Sequence, residues 1–523
     1  MVAATLPLER DRYRYKYLIA ITVSLASVLE LLDTSIVNVA IPHMMGNLGA
    51  TLDQIAWVST GYIVANVIVL PITGWLSAYF GRRKYFAGSI ALFTIASFMC
   101  GNAHSLDALV FWRIIQGLGG GALLSTSQAI LYEEFPREEY GTAMAIFGVG
   151  VMVGPTLGPT VGGWITDMYG WPWIFYINIP FGMLALALTL TFITDSLHQA
   201  RAQKVDWLGL GLLALGIGCL QTMLERGERL DWFSSGSVRL LGLTSVFSLI
   251  TFIWHELTTE HPVVDLRILK SRQLAVGVVF GMVLGICLYA TVFVLPVYLQ
   301  NIRHFTANQT GLVILPGALA SAFTMAFMGR LQGKFDARLS IAAGVGIFAL
   351  AMWKHAHFTT ESGFHDFFWP LIFRGVGLGL IFVPLTNLAL ADLPMSKIPN
   401  GTGLFNLMRQ LGGSVGIALS ATLVQRFTAI HRGDLMASVT PYAEATRERL
   451  AQITNALIAR GDVPAIAQTK AVGFLNGVVT QQAMMLSFEQ LFLLFGAVFV
   501  FSLLLLPLLH KAKRMPGAGA AAH

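Results

Sequence analysis

The chain has 523 residues, of which 55% are hydrophobic and only 12% are charged, about half the charged fraction of a soluble globular protein. Apolar runs of about 20 residues, the length needed to cross a bilayer, recur along the whole chain. This composition excludes a soluble enzyme, and the net charge of +6 is interpreted loop by loop rather than as a sign of nucleic-acid binding. The sequence predicts an all-α integral membrane protein.

The predicted spans form two blocks of six helices with two helices inserted between them. An N-terminal anchor (1–17) precedes the first block (18–194), linkers and the inserted helices occupy 195–272, the second block covers 273–510, and 511–523 is a tail. The spans are predicted at about 18–41, 55–77, 85–103, 106–131, 141–165, 174–194, 205–225, 238–255, 273–300, 308–329, 338–354, 367–391, 400–426 and 486–510.

Lysine and arginine set the expected orientation, because loops rich in these residues stay on the cytoplasmic side. The loops on the side of the N-terminus hold Arg82, Arg83, Lys84, Arg201, Lys204, Arg267, Lys270, Arg272, Arg330, Lys334, Arg338, Lys511, Lys513 and Arg514. Both termini are therefore expected to be cytoplasmic. The long polar segment 427–485 then lies outside and is predicted to form a small domain, either a solvated cap or a docking site for a partner.

The two blocks repeat each other. Gly74-x-Leu76 is echoed by Gly329-x-Leu331, and Gln116-Gly117-x-Gly119 by Arg374-Gly375-x-Gly377. Both pairs lie a little over 250 residues apart in the same direction, as expected for a parallel internal repeat with a substrate path between the halves.

Residues 148–164 contain four glycines at every fourth position, Gly150, Gly154, Gly158 and Gly162. Such glycines share one helix face and permit close approach of another helix. Pro155 and Pro159 lie beside them and are expected to bend or weaken the helix. The pattern predicts a seam at which the two bundles meet closely.

Several segments, in order, carry a resemblance. They are LDTSIVNVAIP (32–42), GWLSAYFGRRK (74–84), Arg113 with Gln116-Gly117, GVGVMVGPTLGP (148–159), ERGERLDWFSS (225–235) and NLMRQLGGSVG (406–416). Together they resemble the major facilitator superfamily, its 14-span drug:proton antiporters and, among these, the EmrB-type efflux permeases. One departure is Ala78, where the signature loop usually has an acid, so a charge-relay gate built on that acid is in doubt.

The resemblance implies a bacterial inner-membrane exporter of hydrophobic or amphipathic drugs, driven by protons and working with a periplasmic adaptor of the EmrA type and a TolC-like outer-membrane channel. It implies conformational roles for the signature loop and the glycine–proline segment, and it makes four polar residues candidates for substrate contact or gating. The loop residues are Gly74, Gly81, Arg82 and Arg83, and the four candidates are Asn38, Gln116, Asn406 and Arg409.

Three ionisable residues inside the spans are candidates for proton coupling, because charges there cost roughly 2.5–3.5 kcal/mol on insertion scales. Glu30 and Asp33 share a face of the first helix, roughly 18 and 22 Å from its cytoplasmic edge. Arg113 lies about 10 Å from the external edge of the fourth span, at nearly the same depth in a core about 30 Å thick. Two close carboxylates do not easily both ionise, so one tends to keep a proton.

Two interpretations of these charges stay open: proton–drug exchange, with Asp33 favoured over Glu30 because the family motif covers it, or a static ion pair that locks two helices together. No GxxxxGK[ST] phosphate loop occurs, so the proton is the expected coupling ion and no cofactor or metal is predicted. Alternative functions are a narrow exporter of one metabolite or fatty acid, or a membrane sensor without transport.

Overall fold

The structure, a computed structural model, describes residues 15–196, 205–331 and 335–510. Within these ranges fourteen helices are long and apolar enough to cross a membrane, as the sequence predicts. We number them α1 Lys16–Leu48, α2 Trp57–Phe80, α3 Arg82–Gly101, α4 Leu106–Glu134, α5 Arg137–Tyr169, α6 Trp173–Phe192, α7 Trp207–Arg226, α8 Gly236–Thr258, α9 Arg272–Asn301, α10 Asn308–Leu331, α11 Ala337–His355, α12 Phe364–Leu390, α13 Met395–Ser438 and α14 Pro464–Leu508. The anchor up to residue 14, basic residues 201, 204 and 334, and the tail 511–523 lie outside the described ranges.

Short polar side chains begin several of these helices. Ser105, Asp206, Ser271 and Asp336 each accept a hydrogen bond from a backbone N–H in the first turn of α4, α7, α9 and α11. Such caps satisfy donors that have no partner within the helix. They place the ends of the helices where the polar loops of the sequence interrupt the apolar runs.

The helices assemble into two bundles, α1–α6 and α9–α14. In the first bundle α1 packs on α4, α5 and α6, and in the second α9 packs on α12, α13 and α14. The bundles meet where α5 contacts α10 and α12, and where α2 and α4 contact α13. The inserted helices α7 and α8 pack on each other, and α7 also contacts α2 and α13.

We call the end of the molecule where α1 begins and α14 ends the terminal face, and the other end the opposite face. Tyr132 of α4 donates a hydrogen bond to Asn387 of α12 at 2.6 Å near the terminal face. At the opposite face, Trp232 donates to Thr422 of α13 at 2.8 Å, and the Arg226 guanidinium carbon lies 4.8 Å from the ring centroid of Trp57 in α2. The connection that follows α7 therefore contacts both bundles.

The glycines of the internal repeat make equivalent contacts in the two halves. A Cβ added to Gly74 of α2 would overlap Asn400 of α13, and one added to Gly329 of α10 would overlap Gly141 of α5. Both glycines thus permit close contact across the two bundles. Gly117 and Gly375, the second matched pair, face α2 and α10 respectively, and the repeat predicted from spacing is present in three dimensions.

The glycine seam of α5 lies inside the first bundle, so the prediction that it joins the two bundles is wrong. Added Cβ atoms on Gly150, Gly154, Gly158 and Gly162 would all meet α1, between Ser24 and Ile36. The α-helix Tyr140–Tyr169 is continuous through Pro155 and Pro159. The glycine of this region that faces the other bundle is Gly148, against Met325 and Phe382, because it lies on a different side of the helix from the fourfold series.

The segment 427–485, predicted to form a small domain, consists largely of continuations of α13 and α14. The α-helix Ile398–Ser438 has 41 residues and is roughly 60 Å long at 1.5 Å per residue, twice the thickness of a hydrocarbon core. Helix Glu444–Ala459 connects it to α14. The polar composition predicts a separate domain because the mean hydropathy falls at the membrane boundary. The helix itself continues past that boundary.

Candidate functional site

A buried ion pair lies at the centre of the first bundle. Asp33 of α1 and Arg113 of α4 are 0% and 1% exposed, and Arg113 Nη1 lies 2.5 Å from Asp33 Oδ2. The agreement in depth along the two helices therefore corresponds to a direct contact. A charge-assisted hydrogen bond of this length in a dry interior is among the stronger polar interactions in proteins.

Neutral amides complete the surroundings of the Asp33 carboxylate. Gln116 Nε2 of α4 and Asn178 Nδ2 of α6 donate to Asp33 Oδ1 at 2.9 and 3.0 Å. Asn178 also donates to Ser97 of α3 at 3.0 Å. Gln116, a sequence candidate for substrate contact, is thus buried in the ion-pair network.

Sequence reasoning missed Asn178. It lies five residues after the start of α6, about 8 Å along the helix, which is close to the depth of Arg113 in α4. A search for every polar residue at the depth of Asp33 would have found it.

Arg113 is fixed by three further groups in addition to Asp33. Its Nε donates to the Val58 carbonyl at 3.0 Å and its Nη1 to Gln116 Oε1 at 2.8 Å. Its guanidinium carbon lies 4.1 Å from the ring centroid of Tyr62, a cation–π distance. The network therefore joins α1, α2, α3, α4 and α6, which is the arrangement expected of an ion pair that holds helices together.

Glu30 lies one turn before Asp33 but has different surroundings. Its Oε1 accepts one hydrogen bond, from Asn66 Nδ2 of α2 at 2.9 Å. Its Oε2 is buried without a hydrogen-bond partner among the described residues. Glu30 is 5% exposed, and none of the ion pairs in the described part of the chain includes it.

Across the bundle contact, Asn406 and Arg409 of α13 face the first bundle. Asn406 Nδ2 donates to Gln128 Oε1 of α4 at 2.6 Å and to Ser125 Oγ at 3.3 Å. Arg409 Nη2 donates to Asn406 Oδ1 at 3.2 Å. The pair thus links the two bundles near their centre, a position compatible with substrate contact or gating.

Asn38, the remaining polar candidate, lies apart from this centre. It is exposed and accepts a hydrogen bond from Ser59 of α2 at 3.2 Å. It lies more than one turn beyond Asp33 toward the opposite face, so it does not contact the ion pair.

The signature loop between α2 and α3 is anchored within the first bundle. Gly81 adopts a positive φ of 87°, a backbone conformation that favours glycine. Arg82 is buried and pairs with Glu133 at 2.6 Å and Glu134 at 2.8 Å at the end of α4. The backbone N–H of Arg83 donates to Asp195, beyond α6, at 3.0 Å. These contacts fix the relative positions of α3, α4 and α6, and Ala78 takes no part in these ion pairs.

Two repeated six-helix bundles, in contact along glycine-lined helices and with buried charges near the contact, define a membrane transporter. The model of the Major Facilitator Superfamily matches residues 23–417. The chain belongs to this superfamily.

Curated relatives match nearly the whole chain. The fatty acid resistance protein FarB of Neisseria gonorrhoeae is 35% identical over 97% of both chains, and the multidrug export protein EmrB of Escherichia coli K12 is 34% identical over 96% of both. Among solved structures, the human organic anion transporter MFSD10 aligns with a TM-score of 0.58 at 14% identity, covering 92% of this chain and 99% of that one. The last comparison supports the fold alone.

Proposed function

We propose that this protein exports hydrophobic and amphipathic toxic compounds across a bacterial inner membrane in exchange for protons, with both termini in the cytoplasm. The observation that carries the proposal is Glu30, a buried carboxyl with one amide donor and, among the described residues, one oxygen without a hydrogen-bond partner. The multidrug export protein EmrB, similar along almost its full length, supports the choice of substrate class.

The geometry favours Glu30 over Asp33 as the group that exchanges its proton. Asp33 has a guanidinium and two amide donors, all of which stabilise the carboxylate form. Releasing Asp33 from this network would leave Arg113 buried without its acid, which is costly. In this conformation Glu30 gains or loses a proton without breaking any ion pair of the described residues. Asp33 and Arg113 then hold the helices that position Glu30.

Exchange follows if drug and proton exclude each other at this carboxyl. A cationic compound that enters between the bundles favours ionised Glu30, because its charge replaces that of the proton. Protonation from the other side then favours release of the compound. One charge moved through 100 mV is worth about 2.3 kcal/mol, enough to bias such a cycle.

The contacts between the bundles support alternating access. Near the terminal face they are held by Tyr132 with Asn387 and by the close approach of Gly74 to Asn400. With that face on the cytoplasmic side, these contacts hold the two bundles together at the cytoplasmic end in this conformation. Opening it requires these contacts to separate as one bundle rocks against the other.

The orientation rests on the basic residues of the terminal face. Those in the described ranges include Lys16, Arg82, Arg83, Arg338 and Lys397. Clustering of lysine and arginine on one side is the signal that retains loops in the cytoplasm. Cysteines introduced singly at 84 and 445, tested with a membrane-impermeant maleimide on intact cells, check it: we expect labelling at 445 alone, and labelling at 84 alone would reverse the orientation.

Proteoliposomes with an acidic lumen test the function directly. We expect the wild-type chain to accumulate a fluorescent amphipathic cation in proportion to the imposed pH gradient. Glu30→Gln should lose gradient-driven accumulation while still exchanging dye with unlabelled dye. Glu256→Gln, which removes a buried carboxyl of α8, is the matched control and should retain accumulation. Dye uptake by the wild type that does not depend on the pH gradient would contradict the proposal.

We also propose that the protruding ends of α13 and α14 dock a periplasmic adaptor that leads to an outer-membrane channel. Beyond the membrane, these ends expose Ile430 and Phe474, and the connection between them exposes Tyr442 and Val463. Exposed apolar patches of this kind are typical of interaction sites. Replacing Ile430 and Phe474 by serine should prevent co-purification of an EmrA-type adaptor without reducing dye transport in proteoliposomes. Unchanged co-purification would reject this docking surface.

A narrower function, fatty-acid export, has its own support in the similarity to FarB, a protein named for fatty acid resistance. The same proteoliposomes distinguish the two functions. Transport of a long-chain fatty acid but of no drug in a broad panel would replace multidrug export by the narrower activity.

A further inference from the structure

The proposed function uses Glu30 but gives no role to Arg409, the buried cation of the other bundle. Arg409 is 0% exposed, and its Nε and Nη1 have no hydrogen-bond partner among the described residues. Its contacts are the neutral Asn406 at 3.2 Å and the ring of Phe382 at 5.6 Å from the guanidinium carbon. A buried guanidinium with two unsatisfied nitrogens is costly and suggests that a partner engages it in another state.

Glu30 is the acid of the first bundle whose charge acts on Arg409. Asn66, the partner of Glu30, packs against Gly121 of α4. Asn406, the partner of Arg409, donates to Ser125 one turn further along α4. The charges of both Glu30 and Arg409 act on Tyr289 of α9. Each of the two charged groups has a buried, unpartnered atom.

By contrast, the other buried cation near α1 is already paired. Arg113 makes its ion pair with Asp33 and donates to two further groups. The two cations therefore differ in the same way as the two acids: Asp33 and Arg113 are satisfied within one bundle, whereas Glu30 and Arg409 are unsatisfied on opposite sides of the bundle contact.

We propose that Arg409 is the positioning residue for proton exchange at Glu30, and that an ion pair between them forms across the two bundles when Glu30 is ionised. Ionised Glu30 draws α13 toward α1, and protonation removes the attraction and lets the bundles separate. The inference rests on the proposed function, because it assumes that Glu30 exchanges the proton.

Few other charges compete for Glu30. Asp33 acts on it from its own helix, and the charge of Glu30 in turn acts on Tyr62 of α2 and Tyr289 of α9. The adjoining part of α5 presents the glycines at 150 and 154. Arg409 is thus the basic group with a direct electrostatic effect on Glu30 in the described part of the chain.

The test measures proton release when an amphipathic cationic dye binds to the purified chain, as a function of pH. Arg409→Gln removes a positive charge that favours ionised Glu30, so the pH midpoint of proton release should rise, by about one unit, a tenfold change in proton affinity. Arg409→Lys keeps the charge and should keep the midpoint near that of the wild type. Arg374→Gln, a second buried arginine of the same bundle, is the matched control and should not move it.

Glu30→Asp keeps every charge but moves the carboxyl away from Arg409, because its side chain is shorter. It is the second test of the ion pair if Arg409→Gln does not fold. Its midpoint should also rise, although aspartate is intrinsically the stronger acid. A midpoint that stays at the wild-type value in either folded variant overturns the cross-bundle pair. Absence of proton release from the wild type would instead overturn the proposed function.

Discussion

Two carboxyl groups one turn apart on α1 have opposite surroundings. Asp33 accepts hydrogen bonds from Arg113, Gln116 and Asn178, and these partners join it to α4 and α6. Glu30 accepts one, from Asn66 of α2, and the charge of Arg409 in the other bundle acts on it. The same helix therefore carries one acid with three hydrogen-bond donors from its own bundle and one acid with a single donor.

The difference separates structural from functional charge. A carboxylate with three donors holds helices in place, since any change of its charge leaves the donors unsatisfied. A carboxyl with one donor changes its charge at lower cost. The family motif covers Asp33 and favours it as the proton-exchanging group, whereas the number of hydrogen-bond partners favours Glu30.

The largest expected loss of stability comes from breaking the Asp33–Arg113 ion pair. Arg113→Gln leaves the Asp33 carboxylate buried without its counter-ion, and removing one partner of a buried pair costs about 3–5 kcal/mol. Thermal unfolding in detergent should show a large loss of stability or failure to accumulate folded protein. A variant as stable as the wild type would show that the pair does not hold the bundle.

Restoring charge balance should recover part of that loss. In Arg113→Gln with Asp33→Asn, no buried charge remains at the site, so the double variant should be more stable than Arg113→Gln alone, by about 2 kcal/mol. Both variants and Asp33→Asn are compared by the same unfolding assay. Additive losses would contradict a direct pair.

A smaller effect is expected from the periphery of the site. Asn178→Ala removes one of the amide donors to Asp33 and the donor to Ser97, and single polar contacts between membrane helices contribute about 1 kcal/mol. Stability should fall by this amount. Thr191→Ala, which removes only an exposed hydrogen bond within α6, is the control and should change little.

The smallest change in stability is expected from substitution of Glu30. Glu30→Gln keeps the size of the side chain and its hydrogen bond with Asn66, so unfolding should shift by less than about 1 kcal/mol. Dye-induced proton release should nevertheless disappear. Loss of stability together with retained proton release would reverse the roles assigned to Glu30 and Asp33.

The number of spans and the repeat followed from the sequence alone. Hydropathy is a local property, so fourteen apolar runs predict fourteen helices, and glycine motifs about 250 residues apart mark the repeat whether or not the packing is known. The depth of Arg113 also followed, because the rise per residue of a helix is fixed. In contrast, the polar residues after about 426 indicate where the chain leaves the membrane. They do not indicate the end of α13, which continues to Ser438.

What each helix face contacts depends on how the helices pack together, which local sequence does not specify. Periodicity places the four glycines of α5 on one face. It does not specify that this face packs against α1 and not against the other bundle. Likewise, the sequence put Glu30 and Asp33 on similar faces but did not reveal that one finds three donors and the other finds one. The partners of a side chain depend on how each helix is rotated and which helix lies beside it, and packing of the whole bundle sets both.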